Sequence, residues 1–182
     1  SQKDFTVSHK SPFIGRDTEL AELNTIYNEC IDNLKDNKIS KASFVGVHAN
    51  AGIGKSRLIY EFIQNVKCDY SIGSCTNISS KPFHIFSTII KDSLNISIID
   101  NKNTIENKFI EGIDNLIKIN PLRKEDLKSS KPFLGMLLGV KISDERLNNK
   151  EEFIHHMHTS LRTFIECKCT KSNRSDIPYI LI

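Results

Sequence analysis

Between Asp17 and Leu34, the apolar residues Leu20, Leu23, Ile26, Tyr27, Cys30, Ile31 and Leu34 follow one another at steps of three and one, which predicts an amphipathic helix. Ala42 to His48 then reads as a strand. A glycine-bearing loop follows it, and Leu58, Ile59, Phe62, Ile63 and Val66 return to helical spacing, so the local order is strand, loop, helix. Cys68 to Gly73 predicts a second strand. A polar loop ending at Pro82 leads to helices over about Phe83 to Leu94 and about Ile105 to Ile117, while Pro121 and Pro132 punctuate the middle of the chain. A last helix over about Glu151 to Glu166 carries Phe153, Ile154, Met157, Leu161, Phe164 and Ile165. It precedes a terminal apolar run, Pro178-Tyr179-Ile180-Leu181-Ile182, entered from the polar turn Lys171 to Asp176 and read as a buried strand. Strands alternating with helices predict an α/β fold with a mostly parallel sheet flanked by helices.

Composition supports a globular chain: 38% of the 182 residues are hydrophobic, enough for a core. The net charge is +3 with acids and bases interspersed, so no stretch carries the footprint of a nucleic-acid partner. Cys30, Cys68, Cys75, Cys167 and Cys169 form no paired framework, and the polar opening is no signal peptide, which places the chain in a reducing cytoplasm. No apolar run reaches the roughly 18 residues of a membrane span. The chain opens without Met and closes on an apolar run whose terminal carboxylate would be costly to bury, so it reads as a segment of a larger protein. Residues 1–11 are then a linker from an upstream region, and 12–182 the front portion of a nucleotide-binding domain.

The chemistry concentrates in Ala49-Asn50-Ala51-Gly52-Ile53-Gly54-Lys55-Ser56. Such a loop turns successive backbone N–H groups toward phosphates, and the following helix adds its positive dipole end. Lys55 would bring charge to the β- and γ-phosphates and the Ser56 hydroxyl one ligand to Mg²⁺, making ATP with Mg²⁺ the expected cofactor pair. Ala49 stands where the phosphate-loop pattern has its first glycine; were φ positive there, its Cβ would cost on the order of 1 kcal/mol.

Two segments together carry a family resemblance. Pro12-Phe13-Ile14-Gly15-Arg16-Asp17-Thr18-Glu19-Leu20 and the loop Ala51 to Leu58 resemble the corresponding segments of STAND and AAA-type, origin-recognition-like P-loop ATPases, including those attached to class III adenylyl and guanylyl cyclases. Ser74-Cys75, Pro82-Phe83 and Pro132 to Gly139 are similar to segments those proteins carry before their acidic Walker B strand. The resemblance implies a P-loop NTPase fold whose adenine rests near Phe13, Ile14 and Gly15 with Arg16 close by. It also implies an ATP-driven regulatory module in a multidomain signalling protein, with effector and sensor domains outside this chain and room for a homo-oligomer in the full-length protein; that no membrane partner is expected follows from the apolar runs alone. Asn50 departs from the family's acidic residue. The Walker B acids, sensor and arginine finger would lie beyond Ile182, so these residues alone should bind but not hydrolyse ATP. The family's strand order would leave Ala42 to His48 without its central neighbour.

Other readings compete. Gly15-Arg16-Asp17 suits a plain helix-start turn, with Asp17 or Thr18 capping. An ATPase module of a DNA-linked protein, and a small-molecule P-loop kinase, are the alternative functions. His155, His156 and His158 with Cys167 and Cys169 contain metal-ligand types, but Cys167 is about 13 Å along a straight helix from His158, which no single metal spans. His48 is read as packed or solvated, Arg57 as facing solvent or an acidic neighbour, and Cys75 as lacking a partner His.

Overall fold

The computed structural model describes residues 12–35, 42–75, 81–169 and 178–182. They form α1 (Asp17–Lys35), α2 (Lys55–Asn65), β1 (Asp69–Ser71), α3 (His84–Ser93), α4 (Lys102–Ile119), α5 (Lys124–Leu138), α6 (Lys150–Cys169) and β2 (Tyr179–Leu181). Two compact units divide the chain, one within Ser1–Asp69 and Ser175–Pro178, the other within Tyr70–Arg174 and Tyr179–Ile182. The expected linker at 1–11 and the polar turn at 171–176 lie outside the described residues.

In the first unit α1 packs on α2. Leu58, Phe62 and Ile63 are its buried residues on α2, and Tyr27 meets Phe62 edge to face at 6.1 Å between centroids, the geometry the ring quadrupoles favour. The Tyr27 hydroxyl donates to the Lys67 carbonyl, 2.5 Å away, fastening α1 to the end of α2. The stripe predicted on α1 is half-buried from Leu20 to Ile31, as a helix covered on one side should be.

The second unit is a helical cluster. Phe109 and Ile113 of α4, Phe133 and Leu134 of α5, and Met157 and Phe164 of α6 are almost wholly removed from water. Asn101 opens α4, its side chain accepting from Thr104 N at 2.9 Å, which satisfies one of the N–H groups a helix start leaves over. The helices expected over 83–94, 105–117 and 151–166 form as α3, α4 and α6.

Helix α5 was not expected. Pro121 does act as punctuation, heading the short 3-10 turn Pro121–Arg123 that leads into the helix. Pro132, however, lies inside α5. Its missing N–H interrupts the ladder, but the same turn is supported by side chains: Ser130 Oγ donates to the Asp126 carbonyl at 2.8 Å and Arg146 Nη2 to the Ser129 carbonyl at 3.1 Å. Burial of Pro132, Phe133, Leu134 and Leu138 offsets the loss. The helix ends in a Schellman motif: Gly139, at φ 77°, donates to the Met136 carbonyl, and Val140 N to that of Gly135.

The expectation of an α/β P-loop NTPase fold with a mostly parallel sheet is overturned. The described residues are mostly helical, and their one sheet has two strands, β1 beside β2. The strands expected over 68–73 and at the chain's end do form and run parallel, Ile182 N donating to the Ser71 carbonyl (2.9 Å) and Gly73 N to that of Ile182 (2.5 Å). Residues 42–48 do not form the strand their apolar content predicted. They belong to no sheet among the described residues, and Phe44 is 97% exposed. An apolar run is a strand only where a neighbour accepts and donates its backbone hydrogen bonds, and hydropathy says nothing of that neighbour.

Three hydroxyls tie this sheet to α3. Ser71 Oγ lies 2.5 Å from Tyr179 Oη and 2.7 Å from Ser93 Oγ, with Ser93 and Tyr179 3.2 Å apart, so each can donate once and accept once. Burial pushes the Tyr179 phenol above its ordinary pKa, the two serine hydrogen bonds pulling the other way. Tyr179→Phe should therefore cost about 1 kcal/mol, because it leaves the buried Ser71 hydroxyl one partner short, whereas Phe109→Ala should cost about 3–5 kcal/mol through the cavity it opens. Urea unfolding of both variants checks the ranking; equal losses would contradict it.

Candidate phosphate-binding loop

Residues 49–56 turn from an exposed extended segment into α2. Gly52 and Gly54 take the left-handed conformation, φ 81° and 93°, which glycine adopts without the Cβ penalty of other residues. A Cβ built on either meets nothing within 4 Å, so the constraint is conformational and not one of space. Ala49 is not among the residues with positive φ. The anticipated penalty at this departure from the glycine pattern is therefore absent.

Gly54 stands at the N-cap of α2 with no side-chain cap, and the first turn holds no acidic residue. The earliest helical bond in the loop runs from Leu58 N to the Gly54 carbonyl, 3.0 Å. The positive end of the helix dipole therefore has neither a capping side chain at Gly54 nor an acidic residue in the first turn to answer it. Lys55 folds back over the loop, its ammonium donating to the carbonyls of Ala49 (2.7 Å) and Asn50 (2.9 Å). Ser56 follows it, exposed on the same turn.

The structure brings the second predicted segment to this loop. Gly15, at φ 76°, makes the turn into α1, and the Arg16 carbonyl accepts from Leu20 N at 3.0 Å, so the segment starts a helix, with Asp17 and Thr18 inside its first turn and not at the cap. Arg16 also spans outward: Nη2 lies 3.4 Å from the Ile53 carbonyl, and Nη1 bonds Glu19, whose carboxyl this hydrogen bond holds below its usual range. The Arg57 guanidinium sits 6.0 Å from the Phe13 ring centroid and pairs with Glu61, the acidic neighbour anticipated for it. Phe13 is half-buried, but Ile14 is 81% exposed, so of Phe13, Ile14, Gly15 and Arg16 it is Arg16 that reaches the loop and Phe13 that reaches Arg57 behind it, and the four enclose no base.

The turn at Gly52 and Gly54 and the lysine above it suit a phosphate chain, and Ser56 could give one oxygen to an accompanying Mg²⁺. Among the described residues no group of three or more His, Cys, Asp or Glu is arranged to hold a metal by itself.

The remaining candidates sit elsewhere. His48 and Cys75 are exposed. His156 stacks against Phe133 at 5.3 Å, His158 meets Phe83 at 5.7 Å and His155 lies 6.0 Å from His156, so the three imidazoles are spread over different neighbours. Burial raises the thiol pKa of Cys167 and Cys169. Sequence reasoning missed the arginines of the second unit, above all Arg146, which pairs with Asp144 at 2.6 Å and bonds Ser129. Arg146 lies beyond α5 in the chain, and with α5 unforeseen nothing in the sequence placed it beside Ser129.

No described helix is long and apolar enough to cross a membrane. Comparison with known protein families, characterised proteins and solved structures finds no match.

The loop geometry makes a distinction the sequence could not. Gly52→Ala and Gly54→Ala should each destabilise the first unit by about 1 kcal/mol, while Ala49→Gly should bring no gain, since Ala49 needs no left-handed backbone. Thermal unfolding of the three variants tests this, and a stabilised Ala49→Gly protein would contradict it.

Proposed function

We propose that this chain binds ATP with Mg²⁺ through residues 49–56, as a regulatory module of a multidomain signalling protein of the cytoplasm. The observation that carries the reading is the Lys55 ammonium folded over two left-handed glycines at the uncapped start of α2. In the free loop the lysine is held by the Ala49 and Asn50 carbonyls. A triphosphate would exchange those neutral acceptors for charged ones, and hydrogen bonds between ionised partners are roughly twice as strong as neutral ones. The first-turn N–H groups would hold the same phosphates, and the Ser56 hydroxyl would complete the Mg²⁺ shell together with phosphate oxygens and water.

The loop reading needs local backbone geometry and a helix N-terminus, not a large sheet, so it does not depend on the sheet the fold lacks. The choice of ATP rests on the resemblance of Pro12 to Leu20, supported by the approach of Arg16 and Phe13 to the loop. The effector and sensor domains, a cyclase among the candidates, and any homo-oligomer follow from the resemblance alone.

Lys55→Ala should weaken Mg²⁺-ATP binding at least tenfold, because it removes the mobile charge assigned to the β- and γ-phosphates. Titration calorimetry of the full-length protein decides it. Equal affinity in parent and variant would remove the phosphate-loop assignment.

A further inference from the structure

A cavity of about 340 Å³ opens between α5 and α6 in the second unit. Its wall contains two hydroxyls with no partner among the described residues. Ser160 and Thr163 are only 3% and 4% exposed, yet neither hydroxyl, nor that of neighbouring Thr159, has a hydrogen-bond partner among the described residues. Across the cavity Ser130 does what a buried helical serine ordinarily does and bonds the carbonyl four residues back. Ser160 and Thr163 leave that bond unmade, and their hydroxyl oxygens, in otherwise buried residues, stay open to the cavity.

The cations around them also hold donors in reserve. Arg123 Nη2 bonds Glu166 at 3.0 Å, but its buried Nε, 2.9 Å from Asp126, lacks the alignment of a hydrogen bond. Arg162 Nε bonds Glu166 at 2.7 Å, while both of its Nη groups bond nothing among the described residues. One carboxylate, Glu166, thus serves two guanidinium groups, and the Arg162 hydrogen bond, more than the neighbouring charges, holds its pKa low. Arg146 is a fixed wall: Asp144 takes it through Nε and Nη2, and Ser129 takes it through Nη1.

We propose that this cavity is a binding site for a small molecule bearing a single oxyanion group, carboxylate or phosphate. Guanidinium N–H groups can only donate, and the hydroxyls can donate as well as accept, so the donors facing the cavity outnumber the acceptors that Asp126 and Glu166 supply. The lining carries Arg123, Arg146 and Arg162 against Asp126 and Glu166, a surplus of one positive charge. Asp144, just behind, balances even that. A polyphosphate is therefore a poor fit, whereas one oxyanion can take donors from Arg123 and Arg162 together with Ser160 and Thr163. The volume suits a ligand of several heavy atoms, equal to the share of roughly ten liquid waters. This inference is independent of the phosphate loop.

The test uses the full-length protein carrying Lys55→Ala, so that the loop cannot supply the signal, titrated with inorganic phosphate, acetate and glycerol while the Arg123 Nε–H resonance is followed by NMR. Saturable movement with phosphate or acetate is expected, the responding anion identifying the group. Affinity should fall at least tenfold on Ser160→Ala with Thr163→Val. It should fall similarly on Arg162→Gln, an exposed position where the change does not threaten the fold. Movement that never saturates, or affinity unchanged in the variants, would mean that the cavity holds water only. Saturation by glycerol would overturn the oxyanion assignment in favour of a neutral polyol.

Discussion

Every backbone N–H and C=O removed from water must find a partner, and the cost of failing is comparable to that of a lost hydrogen bond. The shape of this chain follows from how each segment meets that demand. Helices meet it internally, which lets α3, α4, α5 and α6 assemble around Phe109, Phe133 and Phe164 without help from neighbouring backbone. Strands depend on a neighbour. Residues 69–71 have one in residues 179–181; residues 42–48 have none among the described residues, and their Phe44, Val45 and Val47 stand exposed. The start of α2 leaves its demand open in a different way. With Gly54 at the cap, no side chain caps this helix start and no acidic residue stands in its first turn, while Lys55 occupies carbonyls of its own loop.

Much of this was legible in the order of residues. The apolar stripe of α1, the return to helical spacing after the loop, and the helices α3, α4 and α6 follow from side-chain periodicity, which depends on the helix alone. The two short strands were visible as apolar runs bounded by polar turns. The loop residues Gly52, Gly54, Lys55 and Ser56 were marked by type and spacing, and the structure places Phe13 and Arg16 beside them. The extent of the sheet was not legible, because strand pairing is a property of two segments and hydropathy describes one. Nor was α5, since Pro132 reads locally as a breaker. The burial of Phe133 and Leu134 holds the helix there, with Arg146, fourteen residues further on, bonding the Ser129 carbonyl of the same turn. The backbone at Ala49 was a matter of φ, which no residue type settles.

Charge is handled in two manners. In the first unit Arg16 and Arg57 are each spent on an acid one helical turn away, Glu19 and Glu61, and both also touch the segment or loop that borders the candidate phosphate site. The two pairs are local, and pairs of this kind contribute little stability on a protein surface. Their value here is positional, holding Phe13 and the Ile53 carbonyl where they are. In the second unit Arg123 and Arg162 converge on Glu166 from different elements, beside hydroxyls without partners among the described residues. That arrangement has no equivalent structural return, which is why it reads as a site.

The central claim is that the backbone of residues 52–56 is built to hold phosphates, and backbone amide NMR during titration with Mg²⁺-ATP tests it most directly. The account predicts that the N–H signals of Gly52, Gly54, Lys55 and Ser56 move most and saturate together, that inorganic triphosphate moves the same set, and that adenosine does not. Loop signals that stay in place at saturating ATP, or movement concentrated between α5 and α6 instead, would contradict it.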